Sequence, residues 1–116
     1  MSTNKSETVT VESLNSEIST WVEQDRDNPG AWSMFVLHTL KKMQRDYNVT
    51  MEYLAQVTKE QFDFVCEAIE EVVYHFQRIE MVDLIEARYR EFYGEEYGTV
   101  LYIESISALR GCIKNA

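Results

Sequence analysis

The sequence predicts an all-α fold, a single-domain bundle of five or six helices. Apolar residues recur at spacings of three and four along almost the whole chain, which places them on one face of successive helices. Helix-cap signals separate these apolar stripes. At 116 residues with 45% hydrophobic residues, the chain is long enough to bury a core without disulfides or a metal.

The first two helices are separated by an Asp-Asn-Pro-Gly turn. Thr10 is expected to cap a helix from Val11 to Asp25. A second helix is expected to start at Asn28-Pro29, since Asn caps and proline suits the first helical position. It is predicted to continue to about Tyr47 and to be ended by Asn48. Its predicted inward residues are Trp32, Phe35, Val36, Leu40, Met43 and Tyr47.

Two cap signatures follow in the middle of the chain. Thr50 is expected to cap a short third helix, and Thr58, with Gln61 at the capping-box position, fixes the start of a fourth. The fourth helix carries the clearest stripe, and its inward positions are Phe62, Val65, Cys66, Ile69, Val72, Val73 and Phe76.

The stripe then changes phase, which predicts a break between Arg78 and Met81. Gly94 is expected to end the fifth helix, because glycine suits the position after a helix. The segment 99–105 also suits a strand, but Val100, Ile103 and the apolar residues after them keep helical spacing. A sixth helix that stops near Gly111 is therefore predicted.

The ends of the chain and its cysteines bear on organisation and compartment. Residues 1–8 are mostly polar and are predicted to form a flexible tail. Residues 9–116 are predicted to form a single helical domain. The N-terminus has no apolar signal segment, and no stretch approaches ~20 apolar residues. Cys66 and Cys112 form no metal spacing. A protein of the reducing cytoplasm, without a membrane segment, is expected.

The charge of the chain bears most directly on function. Twenty acids stand against eleven bases, which gives a net charge of -9. Between Glu52 and Glu96 there are twelve acids and four bases. Such a surface repels nucleic acid and anionic membranes and attracts basic proteins. We therefore expect a basic protein partner, with no direct contact to nucleic acid or membrane.

Motifs for catalysis are not found. The glycines stand singly, so no phosphate loop is predicted. Glu71 and His75 lie four apart and are read as an exposed ion pair rather than as metal ligands. His38 is read as a hydrogen-bonded residue at the edge of the core, because no nucleophile accompanies it. No enzyme activity and no cofactor are expected.

Two segments are candidates for partner binding. The first is the face of helix four opposite its apolar stripe, where Asp63, Glu67, Glu70 and Glu71 have only Lys59 nearby to offset them. The second lies within 89–104, where tyrosines alternate with acids. Tyrosine is frequent at binding hot spots because it combines a large ring with a polar tip. The candidate residues of this segment are Tyr93, Glu95, Glu96 and Tyr97.

In size, charge, helical content and the Glu/Tyr mixture of 89–104, the chain resembles the small acidic immunity proteins that neutralise bacterial toxins. The resemblance implies an inhibitor whose basic partner is a toxin nuclease. The paired-tyrosine motif of the colicin DNase immunity proteins is not present, so that subgroup is not implied. The alternative is a helical adaptor or oligomerisation module of a phage or regulatory system, which includes a DNA mimic and leaves a homodimer open.

Overall fold

The computed structural model describes residues 8–95 and 100–114, with the backbone alone for 100–102. Every regular element in these ranges is helical, and seven helices are formed. The all-α class is therefore confirmed, with seven helices in this part of the chain instead of five or six. The packing divides the chain into two compact units, Met1–Ala68 and Ile69–Ala116. None of the described helices is long and apolar enough to cross a membrane.

Helix α1 spans Val11–Asp25, as predicted. The Thr10 hydroxyl accepts a hydrogen bond from the Ser13 amide at 3.0 Å, and the Ser13 hydroxyl accepts one from the Thr10 amide at 3.0 Å. This reciprocal capping box satisfies two amides that the first turn leaves without helical partners. The inward face of α1 consists of Leu14, Ile18 and Val22, all buried.

Helix α2 covers residues 30–43 and contains a π-helical turn. Its three consecutive segments are Gly30–Met34, the π turn Phe35–Thr39, and Leu40–Met43. The helix begins at Gly30 with Pro29 at the cap position, one residue later than predicted, and the Asn28 side chain accepts a hydrogen bond from the Gly30 amide at 3.0 Å. The predicted end near Tyr47 is wrong, because the chain leaves the helix after Met43.

Helix α3 spans Tyr47–Ala55 and is capped by Asp46, which was not predicted from the sequence. Asp46 is extended, and its carboxylate accepts a hydrogen bond from the Val49 amide at 3.0 Å. Thr50 is not the cap. It is fully buried inside the helix, and its hydroxyl donates to the Met43 carbonyl at 2.7 Å. Thr50 thus satisfies a carbonyl at the end of α2, which orients the two helices.

Helix α4 spans Lys59–Cys66 and begins as predicted. The Thr58 hydroxyl accepts a hydrogen bond from the Gln61 amide at 3.2 Å. The predicted continuation to Phe76 is wrong, since a turn at Glu67 and Ala68 ends α4. A new helix, α5, then spans Ile69–Phe76.

The first unit is built from α1 to α4. Helix α1 packs against α2, α3 and α4. The rings of Phe35 in α2 and Phe64 in α4 meet edge to face with centroids 5.2 Å apart. The largest fully buried side chains of this unit are Leu14, Ile18, Phe35, Met43, Tyr53, Leu54, Phe62 and Val65. Burial of this size is the main source of the unit's stability.

The second unit consists of α5, α6 (Ile79–Tyr93) and α7 (Val100–Gly111), and α7 packs against both of the others. Between α5 and α6, Gln77 has a φ of 57° and Arg78 is extended. The predicted change of direction is therefore confirmed, at the start of the predicted interval. Gly94 ends α6 with a φ of 52°, as predicted. The described part of 99–105 is helical.

Gln77 fixes the corner between α5 and α6 to the end of α7. Its amide nitrogen donates to the carbonyls of Tyr74 at 2.8 Å and Cys112 at 2.7 Å, and its amide oxygen accepts from the Lys114 amide at 2.5 Å. A residue other than glycine with positive φ carries a conformational cost of about 1–2 kcal/mol. Three hydrogen bonds by one side chain offset that cost.

Candidate functional site

A groove runs between α1 and α4 in the first unit. Arg26, which follows α1, crosses it to Glu60 in the first turn of α4, with Nη2 and Oε2 2.7 Å apart. On one side of this ion pair the groove has a volume of about 350 Å³ and is lined by Ser19 and Gln61, among others. On the other side it has a volume of about 260 Å³. There the lining consists of Val22, Asp25, Arg26, Glu60, Asp63, Phe64 and Glu67.

A partly buried chain of hydrogen bonds holds the helices that form this groove. The Tyr53 hydroxyl in α3 donates to the Gln61 amide oxygen in α4 at 2.8 Å. The Gln61 amide nitrogen donates in turn to the Ser19 hydroxyl in α1 at 2.6 Å. Tyr53 is 1% exposed, and burial raises the pKa of its hydroxyl above the usual value. The hydroxyl is therefore neutral at physiological pH and acts as a donor that fixes three helices.

Gln61 does not perform the role that its position in the sequence predicted. In a capping box its side chain would turn back to the backbone of Thr58. Instead both ends of its amide are used by Tyr53 and Ser19. Ser19 lies 42 residues before Gln61, so no local sequence signal could have shown this contact.

The rim of the groove carries more acid than base. Its exposed acids are Glu23, Asp25, Asp27, Glu60, Asp63 and Glu67. Arg26 pairs with Glu60, and Lys59 pairs with Asp63 at 3.4 Å. The hydrogen bond that Arg26 donates to Glu60, followed by the charges of Glu60, Glu23 and Asp27, raises the pKa of Arg26. Arg26 neutralises part of this acidic charge. The sequence did not predict its role, because Arg26 follows α1 and lies far from Glu60 in the chain.

Four of the rim acids have no salt bridge among the described residues. These are Glu23, Asp25, Asp27 and Glu67. By formal charge, the rim keeps a net negative charge after its two ion pairs are formed. A surface of this kind attracts cationic side chains and raises the association rate of a basic protein.

The structure separates the four acids that were predicted to share one helix face. Asp63 and Glu67 belong to the first unit, at the groove. Glu70 and Glu71 lie in the first turn of α5, in the second unit. All four side chains are exposed. The prediction that all four lie on one helix is wrong, because the turn at Glu67 and Ala68 interrupts the helix.

The tyrosine segment is described in part. Tyr93 is half-buried, and its ring lies 6.0 Å from that of Tyr89 at an angle of 38°. Glu95 is exposed. Glu96 and Tyr97 lie outside the described residues, so their predicted role stays a prediction. Within α6, the guanidinium of Arg88 pairs with Glu91 and lies 4.5 Å from the centre of the Phe92 ring.

A second polar network of the first unit surrounds the π turn of α2. The buried Thr39 hydroxyl accepts a hydrogen bond from Trp21 Nε1 at 2.8 Å and donates to Glu17 Oε1 at 2.8 Å. The other oxygen of Glu17 pairs with Lys42 Nζ at 2.5 Å. Thr39 can satisfy both partners only when it faces α1, and the wider π turn brings it there. The 3.6-residue periodicity of the sequence could not reveal this turn.

Groups for catalysis or metal binding are sparse in the described ranges. No group of three or more His, Cys, Asp or Glu side chains there could hold a metal ion. His38 is exposed, unlike the hydrogen-bonded boundary position expected for it. His75 is exposed as well, and its ring contacts that of Phe76 at 4.9 Å. Burial and then the charge of Glu70 raise the pKa of the Cys112 thiol, which disfavours the reactive thiolate.

No protein-family model, no curated protein and no solved structure matches the chain.

Proposed function

We propose that this protein binds a basic protein partner through the acidic groove between α1 and α4 and thereby neutralises it. The observation that carries the proposal is the rim of the groove, where Glu23, Asp25 and Glu67 form no salt bridge in the described part of the chain. A cationic side chain of the partner would supply the missing charge.

The lining of the groove suits a side chain with both an apolar stem and a charged end. Val22 and Phe64, each 9% exposed, contribute the edges of their side chains as a small apolar surface between the acids. Lysine and arginine bury their methylene groups against such surfaces while the charged end reaches carboxylates. The side chain of Arg26 is 64% exposed and pairs with Glu60 at 2.7 Å beside this lining. We infer that a partner side chain adds to this ion pair or exchanges with it.

The most specific form of the proposal is an immunity protein that inhibits a toxin nuclease. A nuclease must present a basic surface to bind the phosphates of its substrate. An acidic protein that covers this surface would block substrate access without any chemistry of its own. We therefore propose a binding protein that is neither an enzyme nor dependent on a cofactor, with Glu70, Glu71, Tyr93, Glu95, Glu96 and Tyr97 as further partner contacts.

The test begins with capture of partners from the native host on the tagged protein, followed by elution with salt. A basic protein obtained in this way is then purified, and its association rate is measured by stopped flow. Asp63→Lys combined with Glu67→Lys is expected to lower that rate at low salt by on the order of tenfold and to flatten its salt dependence.

The matched control reverses two exposed acids that do not line the groove, Glu52 and Glu104. Glu52→Lys with Glu104→Lys changes the net charge by the same amount as the groove variant. We expect it to slow association less. Equal effects of the two variants would mean that net charge alone attracts the partner. An unchanged rate for the groove variant would rule out the groove as the binding surface.

A further inference from the structure

The outer face of α2 differs in chemistry from the rest of this acidic protein. It lies opposite the buried residues Phe35, Thr39 and Met43. Its exposed residues are Ser33, Met34, Leu37, His38, Lys41 and Arg45. From Asn28 to Arg45 the sequence has no acid, so all twenty acids lie outside this segment. The face is therefore both apolar and basic.

Two large apolar side chains on this face are exposed to solvent. Met34 is 40% exposed and Leu37 is 54% exposed. Leu37 lies within the π turn, midway between Phe35 and Thr39, both of which are fully buried. Because Thr39 is held inward by Trp21 and Glu17, Leu37 is held outward. π turns are rare and occur often at functional sites.

The positive charge of the α2 face indicates which kind of surface can bind to it. Two α2 faces of this kind would bring like charges together, so a symmetric contact between them is disfavoured. An acidic surface with apolar residues between its charges is complementary. The groove between α1 and α4 has this composition, with Val22 and Phe64 among the acids Asp25, Asp63 and Glu67.

We propose that the outer face of α2 docks into the α1–α4 groove of a second copy of this chain. Leu37 contacts the apolar lining of the groove, and Lys41 and Arg45 face the carboxylates of its rim. The contact joins two different surfaces and is therefore heterologous. In a dimer, the groove of one copy and the α2 face of the other remain unoccupied. It needs no other protein and thus does not depend on the proposed function.

The salt dependence of this association has a distinctive form. Each copy carries a net charge of -9, so two copies repel each other at low ionic strength. At about 0.15 M salt the Debye length falls to about 8 Å. The salt ions then screen the long-range repulsion between the copies more than the attraction between charges in direct contact. At about 1 M the length is about 3 Å and the contacts weaken as well. Association is strongest at the intermediate ionic strength.

Analytical ultracentrifugation of the purified chain, over a range of concentrations and at these ionic strengths, tests the proposal. Wild type is expected to self-associate reversibly, most strongly near 0.15 M. Leu37→Glu on the α2 face, and Asp63→Lys with Glu67→Lys on the groove, should each weaken association at least tenfold. Lys41→Glu provides a second change on the α2 face. All of these positions are exposed, and circular dichroism checks that each variant folds.

Mixing the two kinds of variant gives the sharpest result. The Leu37→Glu protein keeps its groove, and the groove variant keeps its α2 face, so an equimolar mixture should form a 1:1 dimer and nothing larger. Glu52→Lys with Glu104→Lys serves as the control and should still associate. The proposal is overturned by wild type that stays monomeric under all conditions, by a mixture that stays monomeric, or by a control that loses association equally.

Discussion

Removal of one buried hydroxyl, in the variant Tyr53→Phe, is the most direct test of how the groove is held together. The Tyr53 hydroxyl donates to Gln61 at 2.8 Å, and these residues are 1% and 7% exposed. Phenylalanine keeps the ring but leaves the Gln61 amide oxygen without this donor. A buried polar group that loses its partner costs about 1–3 kcal/mol. We expect the free energy of unfolding to fall by that amount.

Urea denaturation followed by circular dichroism measures this change. Tyr74→Phe is a matched control, because Tyr74 is 59% exposed. Loss of its hydroxyl should change stability by less than about 0.5 kcal/mol. Gln61→Leu should also destabilise, and the double variant with Tyr53→Phe should lose less than the sum of the single losses. Additive losses, or a loss for Tyr53→Phe no larger than that of the control, would refute this account of the network.

The same hydroxyl makes stability depend on alkaline pH. The ordinary pKa of tyrosine is about 10, and burial raises the pKa of Tyr53 in the folded protein. Above pH ~10 the unfolded chain releases this proton while the folded chain retains it, so deprotonation favours unfolding. The contribution of Tyr53 is thus fully present below that pH and is lost above it, by about 1.4 kcal/mol per pH unit. Tyr53→Phe should reduce the steepness of this alkaline loss, whereas Tyr74→Phe should not.

Three further substitutions test individual contacts by thermal or urea unfolding. Thr58→Ala removes the cap of α4 and should cost about 1 kcal/mol, while Thr58→Ser should cost much less. Thr39→Val removes the hydroxyl that accepts from Trp21 and donates to Glu17. The free energy of unfolding is expected to fall by about 1–3 kcal/mol, and Trp21 fluorescence should change. Unchanged stability would contradict the network at the π turn. Gln77→Gly should cost about 1 kcal/mol less than Gln77→Ala, because glycine tolerates the φ of 57°, and equal losses would argue against strain at this corner.

The two proposals share one surface, which has a consequence for binding. The α1–α4 groove would receive either a basic partner or the α2 face of a second copy. A partner that binds the groove would then compete with self-association. Leu37→Glu separates these activities, because it changes the α2 face and leaves the groove intact. We expect this variant to remain competent for partner binding while it no longer self-associates.

Local signals in the sequence determined much of the fold. Thr10 and Thr58 mark the starts of α1 and α4, and Gly94 marks the end of α6, because caps and positive φ depend on residues only a few positions away. The helical class followed from the spacing of apolar residues. The exposure of those candidate acids that the structure describes also followed, since carboxylates without buried partners remain in water.

Tertiary contacts decided the features that the sequence left open. The turn that ends α4 at Glu67 carries no glycine or proline that would mark it in the sequence. Helix α4 also buries Phe62 and Phe64 on different sides, because α1 and α2 both pack against this helix. The π turn depends on Thr39 meeting Trp21 and Glu17, which are 18 and 22 residues away. The groove depends on Arg26 reaching Glu60 across 34 residues. The sequence by itself thus determined which helices form and how acidic the chain is. Folding decided where those helices end and which charges meet, because such contacts join residues that only the packed chain brings together.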